Sequence, residues 1–437
     1  MTRVLFSPIG NTDPIRDCYD GACLHIIRHY HPEKVVLFFT EEMLHREEKN
    51  HCYTRAIKHV APDVEIEVID SGIEAAHIYD EFIEVLPDAI RSYENDSTEL
   101  ILNLSSGTPQ IKTVMAIVAV EDGLRGVQVE SPNRGSNSAS RPVQADDDIE
   151  AIIANNLDDE AGAENRCIEP PLQVIRYYSE KHQIISLVER YEYAGAYALA
   201  KSSVNVPKDV KKLLHHAMLR EQLNTEKAEQ ELSQYNGVKL IPFKDEKEQE
   251  LFEYFLKLQL DSGKKHLSDI LVKSNNFIVE LLRRYILKGT SFRLFDCLER
   301  NRLVRTKIEA AYPGLVRSLD YEFYGDFRDS ELSFANLCVM CRYINEESLA
   351  KDNEVGSGVV DFVNAMSSLR ELRNDSAHTI KNITPDDFRA KLGMSHGEFI
   401  DKLAKLGSLV MGEKFGKCRN MYDKINELIR EGLSVRK

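Results

Sequence analysis

Residues 373 to 378 read Arg-Asn-Asp-Ser-Ala-His. A fixed cation beside a titratable imidazole is what breaking an RNA phosphodiester without a metal requires. The guanidinium of Arg373 matches phosphate oxygens and keeps its charge. The imidazole of His378 can move a proton at about pH 7. RNA brings its own nucleophile, the 2′-hydroxyl. A protein that cleaves RNA then has only to position the phosphate, stabilise developing charge and transfer protons, and the expected products are a 2′,3′-cyclic phosphate and a 5′-hydroxyl. Asn374 adds an amide beside the Arg.

Spacing alone does not single out this pair, because Arg followed by His at similar distance recurs at Arg46/His51, Arg176/His182 and Arg389/His396. Context does. Arg46 and His51 sit in the charged run Glu41 to His51, which reads as a solvated helix face. Arg373 instead follows Val359, Phe362, Met366 and Leu369, which recur at helical spacing and mark a buried stripe. A charge delivered toward the interior must be paired or must serve a ligand. Five residues of regular helix turn through roughly 500°, which leaves Arg373 and His378 about 140° apart. Either the helix ends near Asp375, or a second copy completes the site across a two-fold axis. Asn374, Asp375 and Ser376 compete with helical hydrogen bonding and favour the break. A new helix start is expected at Thr384-Pro385-Asp386-Asp387, with Thr as cap and Pro in the first turn.

The first 135 or so residues alternate strand and helix signals. Strands are expected at Val4 to Ser7, Val35 to Phe39, Val64 to Ile69, Leu100 to Leu104 and Val127 to Val129. Helices are expected between them, for example Pro14 to Tyr30 and Ile73 to Tyr93. The order implies a mostly parallel sheet with helices on both faces, which binds ligands at the carboxyl ends of its strands. Two loops stand there. One follows the first strand, Ser7 to Arg16. The other is Asn103-Leu-Ser-Ser-Gly-Thr-Pro-Gln-Ile-Lys112, where Gly107 lets backbone approach a ligand, Thr108 caps and Pro109 opens a helix. The free N–H groups and positive end of that helix suit an anion or phosphate. The loop is neither G-x-G-x-x-G nor a P-loop.

From Pro170 onward helical stripes dominate, among them Val174 to Ala200, Val210 to Tyr235, Phe277 to Leu287 and Phe388 to Met411, and no strand is expected. The fold class is therefore α/β plus all-α. Hydrophobic content of 43% and charged content of 29% are those of a soluble globular protein. No apolar run approaches membrane-spanning length and the first residues lack a signal-peptide layout, so no membrane association and a cytoplasmic location are expected. The net charge of −15 opposes broad nucleic-acid binding without excluding a small basic cleft. Arg283, Arg284, Lys288, Arg293, Arg300, Arg302, Arg305 and Lys307 are its candidates, although a charge run is more often a solvated face. Cys338-Val-Met-Cys341 reads as core, since no second pair stands at zinc-ligand spacing. No metal-ligand cluster accompanies Arg373, and no metal is expected.

These residues carry a resemblance. The chain resembles the CRISPR-associated CARF–HEPN ribonucleases of type III-A systems, the sixth of the Csm proteins. Leu104-Ser-Ser-Gly-Thr-Pro-Gln110 and Gly10-Asn-Thr-Asp13 are similar to the ligand-binding loops of these sensors. Arg373 to His378 matches the HEPN motif of Arg, four to six residues, His. The resemblance implies three parts: a Rossmann-like CARF domain over 1–165, a helical connector over 166–270 and a HEPN ribonuclease domain over 271–437. It implies a homodimer with no cofactor and no stable association with the CRISPR effector complex. A cyclic oligoadenylate, cyclic hexa-adenylate by the resemblance, would bind across two CARF domains and activate metal-independent cleavage of single-stranded RNA. Slow self-limiting cleavage of the activator in the CARF domain would go with it. Carried over by position, Arg373, Asn374 and His378 are catalytic. Gly10, Asn11, Thr12, Asp13, Thr40, Ser105, Ser106, Gly107, Thr108 and Gln110 bind the activator. Two other classes stay open: a CARF-type ligand-responsive transcriptional regulator, and a HEPN toxin without second-messenger control.

Overall fold

The computed structural model describes residues 1–132, 147–160, 162–325, 327–366 and 383–434. Arg373, Asn374 and His378 lie outside the described residues. The chain forms two compact units, Met1–Ser179 and Glu180–Lys437.

The first unit is built on strands β1 (Thr2–Pro8), β2 (Ile15–Arg16), β3 (Tyr19–Asp20), β4 (Lys34–Phe39), β5 (Glu65–Asp70), β6 (Thr98–Asn103), β7 (Arg125–Val129) and β8 (Cys167–Ile168). The main sheet has the order β5-β4-β1-β6-β7-β8. All its pairings are parallel except the edge pair β7–β8. The five expected strands are all present. β5 and β7 carry polar residues and are mostly half-buried or exposed, while the continuous apolar runs of β1, β4 and β6 suit strands buried on both faces. Alternation divides them: Leu5, Val35, Leu37 and Ile101 pack into one core, while Val4, Phe6, Val36, Phe38 and Leu102 pack into the other.

Two expected helices are shorter than their stretches. Only Ala22–Tyr30 (α1) of the Pro14 to Tyr30 stretch is helical. Residues before it form the antiparallel β2–β3 hairpin, turned by Asp17 and Cys18 at φ 53° and 64°. Of Ile73 to Tyr93, only Val85–Arg91 is α-helix, after a single 3-10 turn. Pro87 is tolerated in a first helical turn and not inside a helix, so the helix starts just before it.

In the second unit one apolar core runs from Ile184 to Leu433, with Phe252, Phe255, Phe277 and Phe415 at its centre. Long stripes break where the backbone turns left-handed. Tyr191, at φ 58°, separates Gln173–Glu189 from Tyr193–Ser202. Gly393 caps Pro385–Leu392 at φ 67°, and a Ser395/Glu398 capping box starts His396–Met411. Contrary to expectation, this unit does hold strands, although each has two residues: Gln234–Tyr235 with Val238–Lys239, and Leu298–Glu299, Arg302–Leu303 and Ser330–Glu331. Such pairs are too short to carry a hydrophobic period; two are closed by tight turns, and the third, Arg302–Leu303 with Ser330–Glu331, is brought together across two helices.

Around the Arg373 segment, the described part of the stripe behaves as expected: Val359, Phe362 and Met366 are buried. Thr384 and Asp387 form a capping box with Pro385 in the first turn. Cys338 and Cys341 are buried in the core. Members of the basic run are engaged with acids. Arg284 pairs with Glu248, and Arg305 bonds Asp320 through both terminal nitrogens at 2.6 Å. Among the described residues no helix is long and apolar enough to cross a membrane.

Candidate functional site

In the order β5-β4-β1-β6-β7, successive strands run outward from β1 to one side and then resume beside β1 on the other. The switch lies between β1 and β6, and ligand crevices open at the carboxyl ends of strands at such a point. The loops after β1 and β6 are therefore neighbours. They touch backbone to backbone: a Cβ on Gly10 would stand 2.6 Å from the Gly107 amide nitrogen, and Gly107 itself has φ 87°. Glycine is required at both positions, for close approach at one and for the left-handed backbone at the other.

Buried polar groups hold the two loops together. Asn103, at the end of β6, donates to Ser7 Oγ and Ser106 Oγ, both at 2.8 Å, and accepts from the Ser105 amide at 2.9 Å. Ser106 Oγ donates to Asp13 Oδ1 at 3.0 Å. Asp13 also accepts from the Gly10 and Cys23 amides, each at 3.1 Å. Burial pushes the Asp13 carboxyl above its usual range, against the pull of these donors. Asp13 and Ser106 are 2% and 0% exposed, so they shape the loops from inside and offer no free surface. Thr108 caps helix α5 (Pro109–Glu121) by accepting from the Ile111 amide, and its hydroxyl donates to Ala76 O at 2.8 Å.

Of the other expected residues, Thr12 and Ser105 line a cavity of about 400 Å³ at the ends of β6 and β7, together with Arg16, Tyr19, Lys112 and Arg166. Asn11 accepts from Arg46 Nη1 at 2.8 Å. Thr40 stands at the end of β4 as the cap residue of Glu41–Asn50, without a side-chain cap bond. Gln110 is half-buried in the first turn of α5. Sequence reasoning missed Asn103, which bonds both loops, and Lys112 in the cavity. Both stand in the quoted loop; their neighbours in space are not legible from it.

One wall of the cavity is a charged network. Arg28 Nε and Nη2 donate to Asp20 at 2.7 and 3.1 Å, and Asn156 Nδ2 donates to it at 2.7 Å. The Arg166 amide lies 3.0 Å from His25 Nε2, and His25 Nδ1 faces Asp20 and Asp158 at 3.4 and 3.7 Å. Asp20, His25 and Asp158 come close enough to be tested as metal ligands, as do Asp261, His266 and Asp269. The donor sets do not fit. Arg28 and Arg166 already neutralise the first carboxylates, and Lys273 bridges Asp261 and Asp269. Burial alone would raise Asp20, but hydrogen bonds from His25, Arg28 and Asn156 outweigh it and bring it to about 2, from 3.8. A depressed carboxylate stabilises the fold above its unfolded pKa, and that stability is lost as pH falls through the folded value. Asp20 should thus contribute about 2 kcal/mol at neutral pH, fading from about pH 4 to 2. Heat unfolding at pH 6 and pH 3 checks this. Asp20→Asn should lower the midpoint at pH 6 and reduce the difference between the two pH values.

Family models match along most of the chain: the Csm6 CARF domain at residues 65–167, the Csm6 6H domain at 170–221 and the Csm6 HEPN domain at 240–430. A Streptococcus thermophilus CRISPR system endoribonuclease, Csm6′, is 30% identical over 392 residues, 88% of this chain and 89% of the relative. The chain belongs to the Csm6 family of CRISPR endoribonucleases. The Enterococcus italicus Csm6 endoribonuclease is 26% identical over 401 residues, again 88% of this chain and 89% of the relative. The solved structure of Enterococcus italicus Csm6 bound to cyclic hexa-2′-fluoro-hexa-dAMP superposes with a TM-score of 0.66 at 23% identity. It covers 99% of this chain and all of that one, and the two share a fold. The Csm6 CARF match includes the Leu104 to Gln110 loop but begins after β1 and β4. The Csm6 HEPN match spans Arg373 to His378.

Proposed function

We propose that this Csm6-family chain is a ribonuclease switched on by a cyclic oligoadenylate. The ring binds at the crevice between β1 and β6, across two copies of the chain in a homodimer. Arg373 and His378, supported by Asn374, then cleave single-stranded RNA without a metal. Arg373 holds and neutralises the scissile phosphate, and His378 exchanges a proton with the attacking 2′-hydroxyl or the leaving 5′-oxygen. The cleaved ends are a 2′,3′-cyclic phosphate and a 5′-hydroxyl.

The observation that carries the sensor half is the meeting of the two glycine loops at the switch point, where α5 directs its positive end at the crevice. The ring that Enterococcus italicus Csm6 binds is a hexa-adenylate analogue, so cyclic hexa-adenylate is the ring size proposed here. Slow cleavage of the activator in the CARF domain, which would limit the response in time, belongs to the same proposal.

The test is cleavage of labelled single-stranded RNA with each ring size, in excess EDTA and without it. Stimulation should be largest with cyclic hexa-adenylate and should survive EDTA. Loss of activity on chelation, restored by magnesium or manganese, would move the nuclease to a metal-dependent class. Cleavage indifferent to every ring would favour the toxin reading.

A further inference from the structure

We propose that Lys112 is the residue through which the cavity grips an anionic phosphodiester oxygen of the activator. This rests on the sensor reading above and names the charge that reading needs. Lys112 stands in the first turns of α5, half-buried, and lines the cavity with Thr12, Tyr19, Ser105 and Gln128. Three features make its position costly. Burial holds the ammonium below the usual lysine range, opposed only by attraction from Asp13. The N-terminal turns of a helix carry partial positive charge and repel a cation. Among the described residues, Lys112 has no hydrogen bond and no ion pair.

The cavity's other cations are already engaged. Arg166 bonds Asp158 at 2.5 Å and the Glu130 carbonyl at 3.0 Å, and Arg16 lies 3.6 Å from Asp17. Lys112 could instead be only a counter-charge for Asp13, but that carboxylate already takes donors from Gly10, Cys23 and Ser106. A half-buried cation without an acceptor, in a cavity lined by hydroxyls at a positive helix end, is complete once an anionic oxygen enters. A phosphodiester of a nucleotide ring supplies that oxygen.

The experiment is binding of fluorescent cyclic oligoadenylates of each ring size to the full chain, with the tightest ring used for the variants and heat unfolding measured beside it. Lys112→Met keeps the stem and removes the charge. It should weaken binding about 10- to 100-fold, the worth of one charge-assisted hydrogen bond. It should also flatten the dependence of affinity on salt. Its melting midpoint should hold or rise, because an unpartnered cation is removed. Lys112→Arg should bind within a few-fold of wild type with the salt dependence retained. Wild-type affinity in Lys112→Met overturns the assignment. So does a lowered midpoint with binding unchanged, which would make Lys112 the counter-charge of Asp13. If the wild type binds no ring of any size, the sensor reading itself fails.

Discussion

Replacing His378 by alanine should abolish RNA cleavage while ring binding and folding persist. The loss expected from removing a positioned proton-transfer group is about 10²- to 10⁴-fold. Activity above a few per cent of wild type would remove His378 from the chemistry. Arg373→Lys should fail as well. A point charge cannot reproduce the planar fork that meets two phosphate oxygens, so a fully active lysine variant would make Arg373 structural. Single-turnover cleavage at saturating activator is the measurement to use, because it separates chemistry from activation. The proposal places both residues in the Csm6 HEPN match, behind a stripe whose described members Val359, Phe362 and Met366 are buried.

Gly107→Trp should abolish stimulation by cyclic oligoadenylate. Gly107 holds φ 87°, and a Cβ there would stand 3.1 Å from Ile111 Cγ2. Its amide already lies against Gly10. A bulky side chain must therefore distort the backbone of both loops at the mouth of the crevice. Ring binding should fall below detection, and the ratio of cleavage with ring to cleavage without it should approach one. Normal stimulation of the variant would reduce the loop to a capped turn and sink the sensor reading. The loop and the Arg373 segment are far apart in sequence and fall in the matches to two different domain models. Under the proposed function their coupling is a change of state that the ring favours. The stimulation ratio reads that coupling directly.

Apolar runs located β1, β4 and β6, because a parallel strand buried on both faces must be apolar along its length, and the shorter apolar stretches of β5 and β7 sufficed for the other two expected strands. Local signals also located the Thr108 and Thr384 caps, where a hydroxyl precedes a proline. The close approach of the loops after β1 and β6 was legible in part for a similar reason: glycine, hydroxyls and a helix start are local signals. Short-range signals did not show where stretches break. The β2–β3 hairpin, the turn at Tyr191 and the two-residue strands depend on left-handed residues and neighbouring elements, not on period. Nor could the sequence show which polar side chains face one another. Asn103 meets Ser7 only because parallel pairing sets β6 beside β1, 96 residues earlier. Asp20 is depressed to about 2 because α1 brings Arg28 and His25 to it and the chain near Asn156 returns to the same place. Lys112 is an ordinary surface cation by composition. Tertiary packing made it a half-buried charge at a positive helix end, because the strand order puts the start of α5 at the crevice, where it lines a cavity together with residues of the β2–β3 hairpin and Arg166.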